Sequence, residues 1–137
     1  MKKLKIYLDT SVISHLDQQD AKEGWEEATH KLWNEIQLGR FEPYISEIVF
    51  SEIDDANKEK REIMIRYLEV IDYKELNLTE EIKELAEKYI AEGIIPETYR
   101  DDARHIAIAT VNNCDVIASW NFKHMVKMNT IIKVNRN

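Results

Sequence analysis

The segment Leu4-Lys5-Ile6-Tyr7-Leu8-Asp9-Thr10-Ser11 decides the fold, because a short apolar run ends there on a carboxylate. Residues 4–8 have the length and composition of a buried β-strand. In open α/β sheets, ligand sites form at the carboxyl ends of the strands, which is where Asp9 would lie. A buried carboxylate is costly unless it finds hydrogen bonds or a cation. Asp9 is therefore interpreted either as the N-cap of a following helix or as a cation ligand.

Segments of strand length and helix length alternate along the rest of the chain. Strand-like segments lie at 4–8, 41–45, 70–76, 116–119 and 130–134, and helix-like segments at 23–38, 46–54, 57–68, 80–92 and from 102 onward. This alternation predicts a three-layer α/β fold, a five-stranded parallel sheet with helices on both faces. Pro43 has no backbone N–H to donate to a neighbouring strand. Its strand is therefore expected at the edge of the sheet, unless Pro43 lies at the start of the strand or in a bulge. No repeat or linker divides the chain, so residues 1–137 are expected to form a single domain.

The composition is that of a globular protein, with 44% hydrophobic and 33% charged residues in a chain of 137. A single cysteine cannot form an internal disulfide, which fits the reducing conditions of the cytoplasm. The apolar run at 4–8 is too short for a signal peptide, and no segment reaches transmembrane length. We therefore expect a cytoplasmic protein without a membrane partner.

The charge is unevenly distributed. The net charge of −7 argues by itself against a nucleic-acid partner. Both ends of the chain are nevertheless basic: residues 1–8 contain three lysines and no acid, and residues 116–137 contain Lys123, Lys127, Lys133 and Arg136 and no acid. Two interpretations stay open, namely that the ends lie on one edge and dock a polyanion, or that they are solvated termini.

Three further polar residues lie at the ends of apolar segments. Glu52 lies on a helix that starts at the end of the second strand, Asp102 opens an apolar helix and points more towards the core than Asp101, and Asn121 follows the fourth strand. Each could simply cap a helix or complement its dipole. Carboxylates that converge repel one another unless a cation lies between them, so convergence of these segments would predict a divalent-metal site.

The histidines do not indicate zinc. Neither His105 nor His124 has a second histidine or cysteine at zinc-site spacing. His105 follows Asp101 by four residues, so a surface i,i+4 pair between these two side chains is expected. Cys114, at the end of the apolar helix, is interpreted as a structural thiol rather than a nucleophile.

Four stretches of the chain together resemble the PIN-domain family, which includes the toxin ribonucleases of type II toxin–antitoxin pairs and related RNA-processing nucleases. They occur in family order over nearly the whole chain: Tyr7-Leu8-Asp9-Thr10-Ser11-Val12-Ile13, Ile45-Ser46-Glu47-Ile48-Val49-Phe50-Ser51-Glu52-Ile53, Asp102-Ala103-Arg104-His105-Ile106-Ala107-Ile108-Ala109, and Ser119-Trp120-Asn121-Phe122. Each stretch alone is a weak signal, and the four in order are fairly specific.

The resemblance implies the sheet order 3-2-1-4-5, Mg²⁺ or Mn²⁺ as cofactor, and endonucleolytic cleavage of RNA. Asp9, Glu52 and Asp102 match the acids that hold the metal, and Ser11 matches a small polar residue that orders the site. Asn121 stands where the family usually has a fourth acid, so one strongly held metal is expected rather than two. From their positions alone, Lys123 and His124 are predicted to contact a flanking phosphate.

The same resemblance implies a small antitoxin protein that blocks the site with a basic residue, and a homodimer formed through apolar helix faces. Three alternatives remain at this stage. The protein could be a degenerate PIN-like module that binds RNA or protein, a DNA flap-type nuclease with a related acidic sheet edge, or a structural α/β protein in which all four polar residues are helix caps.

Overall fold

The sheet is parallel throughout the part of the chain that the computed structural model describes, residues 2–17 and 24–120. Within these residues it contains four strands in the order β3-β2-β1-β4: β1 Leu4–Leu8, β2 Phe41–Ser46, β3 Lys74–Leu76 and β4 Val116–Ala118. The central strand β1 pairs with β2 on one side and with β4 on the other. The predicted α/β class is confirmed, and the observed order agrees with the predicted one. The fifth strand, predicted at 130–134, lies outside the described residues.

Six α-helices connect these strands in the described ranges: α1 Thr10–Ser14, α2 Trp25–Gln37, α3 Glu47–Asp54, α4 Lys58–Glu69, α5 Glu80–Ala91 and α6 Arg100–Val111, with 3₁₀ turns at His15–Asp17 and Glu97–Tyr99. The side chains of Asn57 and Thr79 cap α4 and α5. Gly39 and Gly93 follow α2 and α5 with φ of 79° and 73°, a left-handed conformation that favours glycine. None of these helices is long and apolar enough to cross a membrane.

Helices cover both faces of the sheet, as predicted. Side chains alternate across a strand, so Ile6 and Leu8 lie in one hydrophobic core while Tyr7 lies in the other. The first core is built against α1, α2, α3 and α4, with Val12, Trp33, Val49 and Leu68 among its buried members. The second is built mainly against α5 and α6, with Ile82, Tyr89, Ile106 and Ile108. The carboxyl end of β1 therefore emerges between two helical layers.

The strand that contains Pro43 was expected at a sheet edge, or Pro43 itself at a strand start or a bulge. Strand β2 has a neighbour on each side, so the edge-strand alternative is excluded. The β3 register begins at Tyr44, and Pro43 pairs only with Ile6 of β1 among the described residues. The missing N–H of Pro43 therefore falls where the second neighbour has not yet begun, so proline is tolerated there.

Candidate active site at the carboxyl edge of the sheet

Asp9 is the residue directly after β1, and it is only 5% exposed. It is the N-cap of α1, where its Oδ1 accepts hydrogen bonds from the backbone N–H of Val12 at 3.3 Å and from Ser11 Oγ at 2.6 Å. The cap interpretation is therefore correct for Asp9. It does not replace the cation interpretation, because both bonds use one oxygen and a carboxylate has a second oxygen with which to bind a cation.

Ser11 joins the ends of two neighbouring strands. Its Oγ donates to Asp9 and accepts a hydrogen bond of 2.9 Å from the backbone N–H of Trp120, which follows β4. The backbone N–H of Asp9 also donates to the carbonyl of Ala118, at 3.3 Å. The residue after Trp120 is Asn121, which, like Lys123 and His124, lies outside the described residues. The backbone that leads to Asn121 is thus held close to Asp9.

Glu52 and His105 form a direct contact between α3 and α6. His105 Nε2 lies 2.6 Å from Glu52 Oε1, and the Glu52 side chain is 37% exposed whereas that of His105 is 5% exposed. The prediction that His105 pairs with Asp101 on the surface is wrong. Helix α6 is buried over much of its circumference, so the His105 ring lies inside the protein and takes its partners there.

A line of hydrogen bonds continues inwards from His105. His105 Nδ1 lies 2.5 Å from the Tyr7 hydroxyl, which lies 2.7 Å from Ser46 Oγ. Ser46 occupies the N-cap position of α3, but its side chain makes no capping hydrogen bond and contacts Tyr7 instead. Four side chains from β1, β2, α3 and α6 are thereby connected, and Glu52 is the member nearest to solvent.

The pKa of the Tyr7 hydroxyl depends on its burial and on nearby acids. Burial raises the pKa of the Tyr7 hydroxyl well above its usual value, the hydrogen bond with Ser46 lowers it, and the negative charges of Asp9 and Glu52 raise it further. The phenol therefore keeps its proton at neutral pH. Asp9 and Glu52 therefore both lie near enough to the Tyr7 hydroxyl to act on it electrostatically.

Asp102 lies in the first turn of α6, three residues before His105. Residues three apart share a helix face, so Asp102 is on the face through which His105 reaches Glu52. Asp102 is partly buried whereas Asp101 is exposed, in agreement with the orientation expected from the sequence. The elements that carry Asp9, Glu52 and Asp102 thus meet around the Tyr7–His105 pair.

The donor set of this edge suits a hard cation, because carboxylate and hydroxyl oxygens are the ligands that Mg²⁺ and Mn²⁺ prefer. Among residues 2–17 and 24–120, no three histidine, cysteine, aspartate or glutamate side chains are grouped closely enough to enclose a metal ion. Mg²⁺ is usually held by one or two carboxylates together with waters and substrate phosphate rather than by a full protein cage. The described residues by themselves therefore do not form a closed cage for a metal ion.

The hydroxyl of Thr10, the residue after Asp9, has unused hydrogen-bonding capacity within the described part of the chain. Thr10 Oγ1, adjacent to Asp9, is buried and has no hydrogen-bond partner among the described residues. Leaving a buried hydroxyl unpaired costs about 1–3 kcal/mol. A water molecule or ligand beside Asp9 would supply the partner that this hydroxyl needs.

Sequence reasoning missed Tyr7, Ser46 and His105 as parts of the site. A signal was present for two of them, since Tyr7 is a hydroxyl-bearing residue in a buried strand and His105 lies on an apolar helix. Buried polar groups require partners. Which partners they find depends on how α3 and α6 pack, and the spacing along one segment does not contain that information.

Comparison with known structures shows the fold. A chain of the crystal structure of VapBC2 from Rickettsia felis bound to a DNA fragment from their promoter aligns with a TM-score of 0.58 and 15% sequence identity, over 88% of this chain and 91% of that chain. No protein-family model matches the sequence. No curated protein sequence matches it either. At this level of identity the likeness concerns the fold, which is consistent with the PIN fold.

Proposed function

We propose that this protein is a divalent-metal-dependent endoribonuclease that hydrolyses RNA phosphodiester bonds, and that it is the toxin of a type II toxin–antitoxin pair. The observation that carries the proposal is the acidic edge: Asp9 directly follows the central strand, and Glu52 contacts a histidine one helical turn from Asp102. The fold shared with the VapBC2 chain supports the family resemblance of the sequence.

Each acid has a defined part in this proposal. Asp9, Glu52 and Asp102 bind Mg²⁺ or Mn²⁺ through carboxylate oxygens, and Ser11 holds Asp9 in place. The bound cation would supply a Lewis acid that activates water and offsets charge on the scissile phosphate. Asn121 contributes a neutral carbonyl oxygen, and Lys123 and His124 contact a flanking phosphate.

A partner protein follows from the same acidic edge. VapBC2 was crystallised bound to a DNA fragment from the promoter, and we propose by analogy that this chain also works in a complex. The partner is a small antitoxin that places a basic residue among the acids and so blocks RNA. A homodimer through apolar helix faces belongs to the same proposal.

The first experiment compares two adjacent aspartates. Asp102→Asn should lower RNA cleavage with Mn²⁺ by at least about 100-fold, since even the outer partners of metal sites are worth 10–100-fold. Asp101→Asn is the matched control, because Asp101 is exposed and should leave cleavage unchanged. Equal activity of the two variants would reject the acidic edge as the active site.

The cleaved ends identify the chemistry in the same assay. Hydrolysis by an activated water leaves a 5′-phosphate and a 3′-hydroxyl. A 2′,3′-cyclic phosphate would instead show attack by the ribose hydroxyl and would reject the proposed mechanism. Parallel incubations with flap and nicked DNA test the alternative of a flap-type nuclease.

A second candidate function is a catalytically weak PIN-like module that binds RNA or protein, which is favoured by Asn121 in place of an acid. The substitution Asn121→Asp separates the two functions. Cleavage gained from an inactive parent would support the binding module, and robust cleavage by the parent would reject it.

A further inference from the structure

We propose that His105 is a positioning residue that holds the Glu52 carboxylate at the acidic edge through an N–H on Nε2, and that Tyr7 and Ser46 hold the other ring nitrogen of His105 in place. This inference rests on the proposed function, in which Glu52 binds the cation. It concerns the line of hydrogen bonds behind Glu52, to which the proposed chemistry assigns no role.

When the His105 ring is neutral, the hydrogen bonds between Glu52, His105, Tyr7 and Ser46 can have only one donor-to-acceptor order. An ionised carboxylate only accepts hydrogen bonds, so His105 Nε2, at 2.6 Å from Glu52 Oε1, carries the hydrogen. A neutral imidazole has one N–H, so Nδ1 is an acceptor for the Tyr7 hydroxyl at 2.5 Å. The Tyr7 oxygen then accepts from Ser46 at 2.7 Å.

The contact with Glu52 is the same if the ring is protonated. Both ring nitrogens are then donors, so Nδ1 donates to the Tyr7 oxygen and the Tyr7 hydroxyl donates to Ser46. His105 Nε2 still donates to Glu52. The positioning role is therefore the same for both forms of the ring. Only the hydrogen bonds from His105 to Tyr7 and from Tyr7 to Ser46 exchange donor and acceptor.

Burial makes the inner part of the line rigid. Tyr7 and Ser46 are 0% exposed and His105 is 4% exposed, so water does not compete for their hydrogen bonds. Glu52, in contrast, is partly exposed and on an α-helix could adopt several rotamers. A bond to a fixed ring nitrogen selects one of these rotamers and leaves the second carboxylate oxygen for a cation.

A ring N–H is well suited to this task, because it binds one carboxylate oxygen and leaves the other available to a cation. Carboxylates that bind metals are commonly held by such outer hydrogen bonds, and loss of the outer partner typically weakens metal affinity by about 10–100-fold. His105 is thus expected to act on cation affinity through Glu52, without touching the cation.

The experiment uses two amide substitutions that differ in reach. In His105→Gln the side-chain amide can extend to Glu52 Oε1, whereas in His105→Asn it is one methylene shorter and remains near the Nδ1 position. His30→Gln is the control, since His30 lies on α2 and bonds to the carbonyl of Leu16. The readouts are Mn²⁺ affinity by calorimetry, the KM and kcat of cleavage, and cooperative thermal melting.

His105→Asn should weaken Mn²⁺ binding by about 10–100-fold, while His105→Gln and His30→Gln should stay within about threefold of the wild type. In cleavage, His105→Asn should lower kcat at subsaturating Mn²⁺ and regain it at high Mn²⁺, with the KM for RNA unchanged. Equal Mn²⁺ affinities of the Gln and Asn variants would overturn the inference.

A second readout needs neither metal nor activity. In protein labelled with ¹⁵N-histidine, the ring nitrogen shifts of His105, assigned with the His105→Gln variant, should show a proton on Nε2. A neutral ring protonated on Nδ1 would overturn the inference. If the wild type bound no Mn²⁺, the proposed function would fail, and the ring nitrogen shifts alone would then decide for or against the His105–Glu52 contact.

Discussion

The hydrogen-bond partners of each buried polar residue indicate whether that residue supports the fold or the candidate site. The side chains of Asp9, Thr29, Ser46 and His105 are buried, and each has a defined partner. Asp9, Ser46 and His105 belong to the hydrogen bonds around the candidate site, whereas Thr29 joins α2 to Trp120. The hydrogen bonds of Ser46 and His105 lead to the partly exposed carboxylate of Glu52, and this link to a candidate site residue distinguishes them from Thr29.

At the same scale, Cys114 is predicted to be inert. Burial raises the pKa of the Cys114 thiol to about 11, from an ordinary value of 9.0. At pH 9 about 1% of the folded thiol is ionised against about half of an unfolded one, so iodoacetamide should react about 50-fold more slowly with native protein than in urea. The chain has one cysteine, so mass spectrometry reads this site alone.

The raised pKa also fixes the direction of a stability effect. The folded protein retains the Cys114 proton above pH 9 while the unfolded chain loses it, so this group's contribution to the free energy of unfolding falls as the pH rises from 9 to 11. Native and unfolded protein that react at the same rate would contradict both expectations.

At the scale of elements, the candidate site depends on the hydrogen bonds that link β1 to β4 and α3 to α6. Ser11 links β1 to β4 through its hydrogen bonds with Asp9 and Trp120. The contact between Glu52 and His105 links α3 to α6. These hydrogen bonds restrict the relative movement of the elements that carry Asp9 and Glu52.

Ser11→Ala is predicted to loosen the junction of β1 and β4. It removes one bond to the Asp9 carboxylate and leaves the Trp120 N–H without its partner, which should cost about 1–3 kcal/mol of unfolding free energy in urea titrations. The control is Ser51→Ala on exposed α3 surface, where the expected change is within about 0.5 kcal/mol. Equal stabilities of the two variants would show that Ser11 does not hold the strands.

At the scale of the whole molecule, the proposed cation site would make the stability of the folded protein depend on cations. A cation that binds the folded state alone stabilises it, by about 2.7 kcal/mol at 100 times its Kd. Mn²⁺ should therefore raise the Tm of the wild type in a concentration-dependent, saturable way.

Asp9→Asn should abolish the Tm increase while leaving the metal-free protein folded. Asparagine caps helices as well as aspartate does, so the bonds from Val12 and Ser11 can be retained, and the loss of one charge relieves repulsion among the acids. Differential scanning calorimetry with and without Mn²⁺ measures both effects. A variant that no longer melts cooperatively would contradict the claim that Asp9 is dispensable for folding.

The sequence by itself determined the features that depend on local patterns. Alternating apolar segments determined the parallel α/β class, and short-range chemistry determined the caps at Asn57 and Thr79 and the left-handed glycines after α2 and α5. It also identified Asp9, Glu52 and Asp102 as candidate site residues, because a carboxylate next to an apolar segment can be recognised from the sequence alone.

Only the tertiary structure decided which side chains meet. His105 contacts Glu52 rather than Asp101, and Ser46 bonds to Tyr7 rather than to its own helix, because side chains of β1, β2, α3 and α6 that are distant in the sequence meet in the folded chain. The tolerance of Pro43 inside the sheet likewise depends on where β3 begins. These contacts join residues 39, 53 and 98 positions apart, so they are fixed by the packing of layers and not by any local pattern.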